Sequence, residues 1–352
     1  MEQIKERLIQ YGKNLGFDLV GITTAEPLRA AQAEINRRIK AGIYSSLASG
    51  NPEERITPAL LLPGVRSVIM VAMSYSVDPK LHAKGPKDNI TENLATPYRG
   101  LLSRYAWGHD YHHVMLPRLS QLAEFIERSI PGTHCRIMVD SGPLLEKAMA
   151  HRAGLGFFGW NSCLITDEFG SWVFLGSLLT TASLPPDPFQ ARTCRECGRC
   201  IKACPTGAIV APYVIDPHLC LSHITQARGI MPEKFRKLLG NRLFGCDTCQ
   251  VVCPHNATAS WGNHREFLPH PLIGSNPSLE MVLGLTNRSF QTTFGQTAAG
   301  WRGKNILQRN ALINLGNIGD TDAVPLLTKA LEDPSKPKRI AADWALSTIQ
   351  AK

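Results

Sequence analysis

The spacing of apolar and polar residues divides the chain into stretches of different character. Residues 1–16 place apolar and charged positions on opposite faces of a helix that ends near Gly16. Residues 17–23 (FDLVGIT) read as a strand, and about 28–41 as a charged helix. Residues 65–75 (VRSVIMVAMSY) are apolar and rich in β-branched side chains, and they follow Pro63-Gly64. They predict the most deeply buried strand. Residues 76–100, rich in Pro, Lys and Asn, predict a loop. Residues 111–130 set Val114, Leu116, Leu119, Leu122 and Ile126 at helical intervals. A strand at 135–139 runs into Asp140, a helix follows at 144–152, and strands at 164–165 and 172–179 flank the turn Glu168-Phe169-Gly170. Helices alternating with strands predict an α/β domain over residues 1–183.

The pattern then changes twice. The Pro-rich segment 184–189 (LPPDPF) reads as a linker into a cysteine-rich module over 184–265. Beyond it, residues 266–352 are helical. Ile306, Leu307, Ala311, Leu312 and Leu315 share a helical face, Asp320-Thr321-Asp322 caps a second helix at 323–331, and a third occupies 339–349. The run ALINLGNIGDTDAVPLLTKALED resembles a HEAT-type repeat, a docked appendage rather than a long solenoid. The overall class is therefore mixed α/β and α+β in three parts.

Composition narrows the setting. Hydrophobic residues at 43% and charged residues at 19% exclude a largely disordered chain. The N-terminus has neither an apolar export core nor a twin-arginine pair, and Pro63, Gly64 and Arg66 interrupt the apolar stretch at 59–75. A cytoplasmic protein working away from membranes, as a monomer, is expected. In a reducing cytoplasm, ten cysteines point to metal rather than disulfides.

Eight of those ten follow a code. Cys194-x2-Cys197-x2-Cys200-x3-Cys204-Pro205 is the run of bacterial ferredoxins. Cys246-x2-Cys249-x3-Cys253-Pro254 matches its last three positions, and Cys220, displaced upstream by an insertion, supplies the missing one. In two-cluster ferredoxins the fourth cysteine of each run ligates the other cluster. The expected groups are therefore Cys194, Cys197, Cys200 and Cys253 for one [4Fe-4S] cluster, and Cys220, Cys246, Cys249 and Cys204 for the second. Zinc does not use this spacing. Cys135 and Cys163 are left unassigned, lone cysteines being most often inert core residues. The formal charge of +9 falls to about +5 with two clusters bound. A basic balance suits a polyanionic partner such as nucleic acid. Gly154-Leu155-Gly156-Phe157-Phe158-Gly159 matches a dinucleotide fingerprint in letters only, because a helix precedes it and a strand follows.

Several segments together resemble the epoxyqueuosine reductase family: Leu62 to Val68 (LPGVRSV), Asp110-Tyr111-His112, Val139 to Glu146 (VDSGPLLE), Arg152 to Asn161 (RAGLGFFGWN), Glu168 to Ser171 (EFGS), Gly245 to Gln250 (GCDTCQ) and both cysteine runs. The likeness spans essentially the whole chain. It implies a cobalamin-dependent iron–sulfur oxidoreductase that reduces epoxyqueuosine to queuosine in the tRNA anticodon loop. Cob(I)alamin would be fed by two clusters from an external low-potential donor. It implies Asp140 as proton donor to the leaving oxygen, its pKa raised by burial against the macrocycle. A turn-capping aspartate is the plainer role for Asp before Ser-Gly-Pro. The expected cobalamin contacts are Arg55, Tyr105, Asp140, Gly159, Trp160, Asn161, Ser162, Ser222, His223, Asp247 and Gln250, with glycines 154, 156 and 159 letting backbone approach the cofactor. Trp160 departs from the lysine of the family pattern, so its contact would be stacking. No histidine on cobalt is expected, because neither Asp110-Tyr111-His112 nor Asp216-Pro217-His218 continues into a D-x-H-x-x-G motif. Arg228, Arg302, Lys304 and Arg309 are the expected tRNA contacts, with Lys234, Arg236, Lys237 and Arg242 on the same basic stretch. The rival readings are a ferredoxin-type electron carrier, a reductive dehalogenase-like corrinoid enzyme and an RNA-binding scaffold.

Overall fold

The computed structural model describes residues 1–45, 47–48, 50–78, 98–189 and 191–351. Most of the expected loop at 76–100 lies outside them. Helices α1 (Glu2–Asn14) and α2 (Arg29–Lys40) flank strand β1 (Leu19–Thr24). Strand β2 (Ser67–Ser74) follows, then helix α3 (Tyr111–Ser129), β3 (Cys135–Met138), helix α4 (Glu146–Arg152) and β4 (Val173–Thr180). These match the apolar patterns to within a few residues.

The strands form one four-stranded sheet in the order β1-β2-β4-β3. Every neighbouring pair is antiparallel, with Leu19 opposite Ala72, Ser67 opposite Thr180 and Cys135 opposite Thr180. The expected α/β layout is thus corrected to α+β in this part. Helix–strand alternation along a chain leaves strand direction open when connections are long, and the link carrying α2 is long enough to return either way. The continuous apolar run of β2 does have the anticipated cause. All eight of its residues are buried. Ile69, Val71 and Met73 join a core with α1 and α3, while Val68, Met70 and Ala72 join another with α4. Each of the Val, Ile and Met side chains contributes about 1.5–3 kcal/mol by leaving water.

The segment 184–189 is not a free linker. Asp187 pairs with Lys5 at 2.7 Å and accepts the Ile22 N–H at 2.7 Å, tying the chain back to α1 and β1.

The C-terminal helices are α5 (Lys304–Ile318), α6 (Val324–Ala330) and α7 (Lys336–Gln350). Their core also takes in Tyr98, Leu102 and Ala106, together with Leu221, Ile224, Phe235, Leu239, Leu243 and Phe244. The insertion between Cys220 and Cys246 therefore shares a core with the tail. Helix α5 is buried on nearly every side, polar residues included. Asn310 donates to the Thr225 and Leu243 carbonyls, Asn314 to Asn241, and Asn317 to Arg236 and Gly240. This ladder ties carbonyls of the insertion to the tail helix, so their bonding does not depend on the insertion's short elements alone. Among the described residues no helix is long and apolar enough to cross a membrane.

Candidate functional site

The cysteines gather as two groups. Cys194, Cys197, Cys200 and Cys253 line one small cavity, together with Gly159, Trp160, Asn161 and Gly198. Gly198 has φ +68, a left-handed turn that starts the helix Arg199–Ala203 carrying Cys200. Of the eight cysteines in the runs only Cys197 is exposed. Burial pushes the Cys200 and Cys253 thiols up, and the charges of Cys194 and its neighbours add to it. In the second group Cys220 feels the charges of Cys246 and Cys204, and Cys249 those of Cys220 and Cys246. Cys220 is pushed up mainly by burial. Cys204 is pulled down: burial opposes this, but hydrogen bonds from Thr206, Ala208 and Ile209 outweigh it. Short helices start at Leu221, Thr248 and Pro254, so Cys220, Cys249 and Cys253 sit at helix N-termini, where N–H groups favour thiolates.

Cys163, left unassigned by the spacing, lies against the second group. It is hydrogen-bonded to Cys249, which draws its pKa down and pushes Cys249 up. Nothing in its spacing signals this. Cys135 packs beneath α3, and burial pushes it up to about 11, the inert state of a core thiol.

Asp140 stands at the end of β3 with φ +50, a conformation few non-glycine residues hold without support. Its support comes from two sides. The Asp140 N–H donates to Glu146 Oε2 at 3.0 Å, and Glu146 Oε1 accepts Ser177 Oγ at 3.2 Å. The Tyr111 hydroxyl donates to Asp140 Oδ2 at 2.7 Å. Burial and then the Asp140 charge keep the Tyr111 proton on. Burial and the same charge lift Glu146 to about 8, so it is largely protonated at neutral pH. Asp140 itself is exposed. The burial expected for it is not supplied by the protein alone.

Beneath Asp140 the Tyr111 ring stacks on Phe174 at 4.2 Å, and Phe174 meets Tyr75 at 4.6 Å. The Tyr75 hydroxyl donates to Gln250 Oε1 at 3.4 Å, which also accepts Ser171 Oγ at 2.8 Å. Gln250 Nε2 donates to Asp247 Oδ1 at 3.3 Å. Asp247 also accepts the Ser103 hydroxyl and, at 2.7 Å, the Arg104 N–H. Burial raises its pKa against these bonds. Tyr105 lies near both Asp247 and Asp140 and accepts Gln226 Nε2 at 3.1 Å. A chain of contacts, aromatic from Tyr111 through Phe174 to Tyr75 and hydrogen-bonded beyond it, therefore runs from Asp140 to the loop bearing Cys246 and Cys249.

The other expected contacts divide. Asn161 donates to the Cys249 carbonyl at 3.3 Å and accepts the Cys163 N–H, so it braces that cysteine loop. Ser162 donates to the Tyr213 carbonyl at 2.7 Å, and Trp160 accepts the Tyr213 N–H through its backbone. Arg55 sits beside the Asp140 loop, its carbonyl accepting the Leu145 N–H at 2.9 Å. Ser222 and His223 lie on the helix that follows Cys220, with His223 5.9 Å from the His218 ring. Gly156 is explained by the fold alone, since a Cβ there would stand 2.3 Å from the Ile165 carbonyl oxygen. Gly154 takes φ +75 just past α4. Neither needs a cofactor.

The basic residues need one clear correction. Arg309 is 1% exposed. Its guanidinium donates to the Ala227 and Gly229 carbonyls at 2.6 and 2.8 Å, so it holds the insertion rather than facing RNA. One helical turn of sequence separates an inner from an outer face, and charge alone cannot tell which. Arg236 and Arg242 are likewise engaged, Arg236 with the Met231 carbonyl and Arg242 with Thr248 at 2.8 Å. Lys304 reaches the Leu285 carbonyl at 3.4 Å. Arg228, Lys234 and Lys237 are exposed, and Arg302 partly so.

The sequence reading missed Tyr111, Glu146 and Arg104. The first two lie inside the quoted segments, but their spacing gives no hint that they meet at Asp140. Arg104 lies 4.6 Å from the Trp172 ring, 5.5 Å from Trp107 and 6.0 Å from Trp261.

A family model described as "Epoxyqueuosine reductase QueG, DUF1730" matches residues 55–141, and one for a 4Fe-4S double cluster binding domain matches 193–256. A PBS lyase HEAT-like repeat model matches 307–333. The epoxyqueuosine reductase of Bacillus subtilis is 38% identical over 348 residues, covering 99% of this chain and 88% of that protein. The chain belongs to the epoxyqueuosine reductase family. A crystal structure of a family member with an epoxyqueuosine-modified tRNA-Tyr stem loop superposes with a TM-score of 0.91 at 37% identity, over 99% of this chain and 90% of the other. A Bacillus subtilis family structure (TM-score 0.91, 36% identity, 99% and 91% covered) is described with its catalytic aspartate loop swung out of the active site.

Proposed function

We propose that this chain is an oxidoreductase that reduces epoxyqueuosine to queuosine in the anticodon loop of tRNA, with Asp140 as proton donor. One observation carries the reading. Nearly the whole chain shares the fold of an enzyme solved with an epoxyqueuosine-modified stem loop, and here Asp140 is held by Tyr111, within electrostatic range of Tyr105 beside the cysteine loop.

The donor set suits two [4Fe-4S] clusters. Each group offers four sulfurs, and the stretch that matches a double-cluster model, residues 193–256, contains all eight of these cysteines. Among the described residues no three His, Cys, Asp or Glu converge tightly enough for a single ion. A cobalamin would lie between the Asp140 loop and the loops after Cys220 and Cys246. The aromatic stack of Tyr75, Phe174 and Tyr111 offers it an apolar floor, and Tyr105, Ser222, Asp247 and Gln250 offer partners for its amides. When bound and reduced, it supplies the strong nucleophile that opens the epoxide.

The chain's own groups do the rest. Removing the epoxide oxygen as water takes two electrons and two protons. Asp140 delivers a proton to the leaving oxygen, and Tyr111 and Glu146 fix where it stands. A corrin and RNA covering Asp140 would provide the burial that the protein alone does not. The three working parts are the sheet domain at 1–183, the cluster module at 184–265 and the helical region at 266–352.

The test is single-turnover reduction of a stem-loop RNA carrying epoxyqueuosine, by anaerobic protein with cobalamin and a chemical reductant. The nucleoside should lose one oxygen, and Asp140→Asn should slow that loss about 100-fold or more while keeping iron and corrin content. An unchanged nucleoside with fully loaded protein refutes the reading.

A further inference from the structure

Just before α5, the short turn Ala298–Gly300 delivers Trp301 to the surface. The indole is 54% exposed, yet it is held in place. Trp301 Nε1 donates to Gln226 Oε1 at 2.9 Å, and the Arg302 guanidinium lies over the ring, 3.7 Å from its centroid. The turn beneath is tight, because a Cβ on Gly300 would meet the Phe294 carbonyl oxygen at 2.4 Å. A large aromatic left in water but fixed at both its N–H and one face has already met most of the ordering cost of a stacking partner.

Its surroundings are positive. Arg302 Nε is buried without a hydrogen-bond partner among the described residues. Arg228 and His223 lie within electrostatic range of Arg302. The N–H edge of the indole is joined to the proposed active site through Gln226, which also donates to the Tyr105 hydroxyl at 3.1 Å.

We infer that Trp301 is a stacking platform for one unpaired base of the bound RNA loop, with Arg302 and Arg228 holding the phosphates on either side. Single-stranded loops are read by splaying bases onto aromatic and guanidinium planes, while backbone charge meets basic side chains. The inference rests on the tRNA reading above and names a subsite within it.

Binding of an unmodified tRNA anticodon stem-loop carrying 2-aminopurine in the loop checks it, measured by fluorescence across a salt series. Trp301→Ala is expected to weaken binding about tenfold or more, with the salt slope unchanged and the 2-aminopurine quenching at one loop position lost. Trp301→Phe should recover part of the affinity and the quenching. Arg302→Gln should instead flatten the salt slope by about one. Iron content and circular dichroism report whether each variant is folded. Wild-type affinity and quenching in both Trp301 variants overturn the platform while leaving the tRNA reading intact. If the unsubstituted protein fails to bind the stem-loop, the tRNA reading itself fails.

Discussion

The two cysteine groups come from nearly the same motif and end in different surroundings. The outer group, Cys194, Cys197, Cys200 and Cys253, keeps Cys197 in solvent. The inner group, Cys204, Cys220, Cys246 and Cys249, is fastened to the C-terminal core. Helix α5 binds the carbonyls of the insertion between Cys220 and Cys246, and Arg242 ties that insertion to Thr248. Asp247 then links the inner loop to the network below Asp140. The repeated motif is alike in both groups, and only their neighbours tell them apart. On the proposed assignment, electrons arrive at the outer group and leave from the inner one.

The largest expected effect tests this division directly. Cys249→Ser should abolish turnover with any reductant and lower iron content by about half, read by iron assay and electron paramagnetic resonance. Cys197→Ser should lower iron similarly but retain some turnover when a small chemical reductant reaches the inner cluster. Equal, complete loss in both variants would erase the difference. Next, Asp140→Asn should slow single-turnover reduction by about 100-fold or more with both clusters retained. A change below about threefold would remove the proton-donor role.

Arg309→Met should destabilise the protein by about 2–4 kcal/mol, because it orphans carbonyls near Cys220, and thermal melting with iron retention reports it. Loss of RNA affinity without loss of stability would place Arg309 outside, against the structure. The smallest effect concerns Glu146. Its folded pKa of about 8 lies above the ordinary carboxylate range, so its stabilising contribution is complete at low pH and falls as pH rises toward 8. Between about pH 5 and 8 the protein should lose stability relative to Glu146→Gln, whose curve stays flat over that window, measured by denaturant unfolding. Parallel curves would show that Glu146 is not held protonated.

The sequence by itself determined the elements and the metal chemistry. Periodicity located α1, β2, α3 and α5 because side-chain burial repeats with backbone geometry, and cysteine spacing is local enough to announce clusters. Tertiary structure decided what depends on contacts between distant residues. Strand direction in the sheet is one case, since the linking segments permit either sense. The meeting of Tyr111 and Glu146 at Asp140 is another, made by α3 and α4 converging on the end of β3. The plainest is the pair Arg302 and Arg309. Both are arginines at the start of the tail, and nothing in their local sequence separates them. The first lies against an exposed indole in the turn before α5 and the second is buried among carbonyls, because it falls on α5 itself, whose residues 306–316 are all buried.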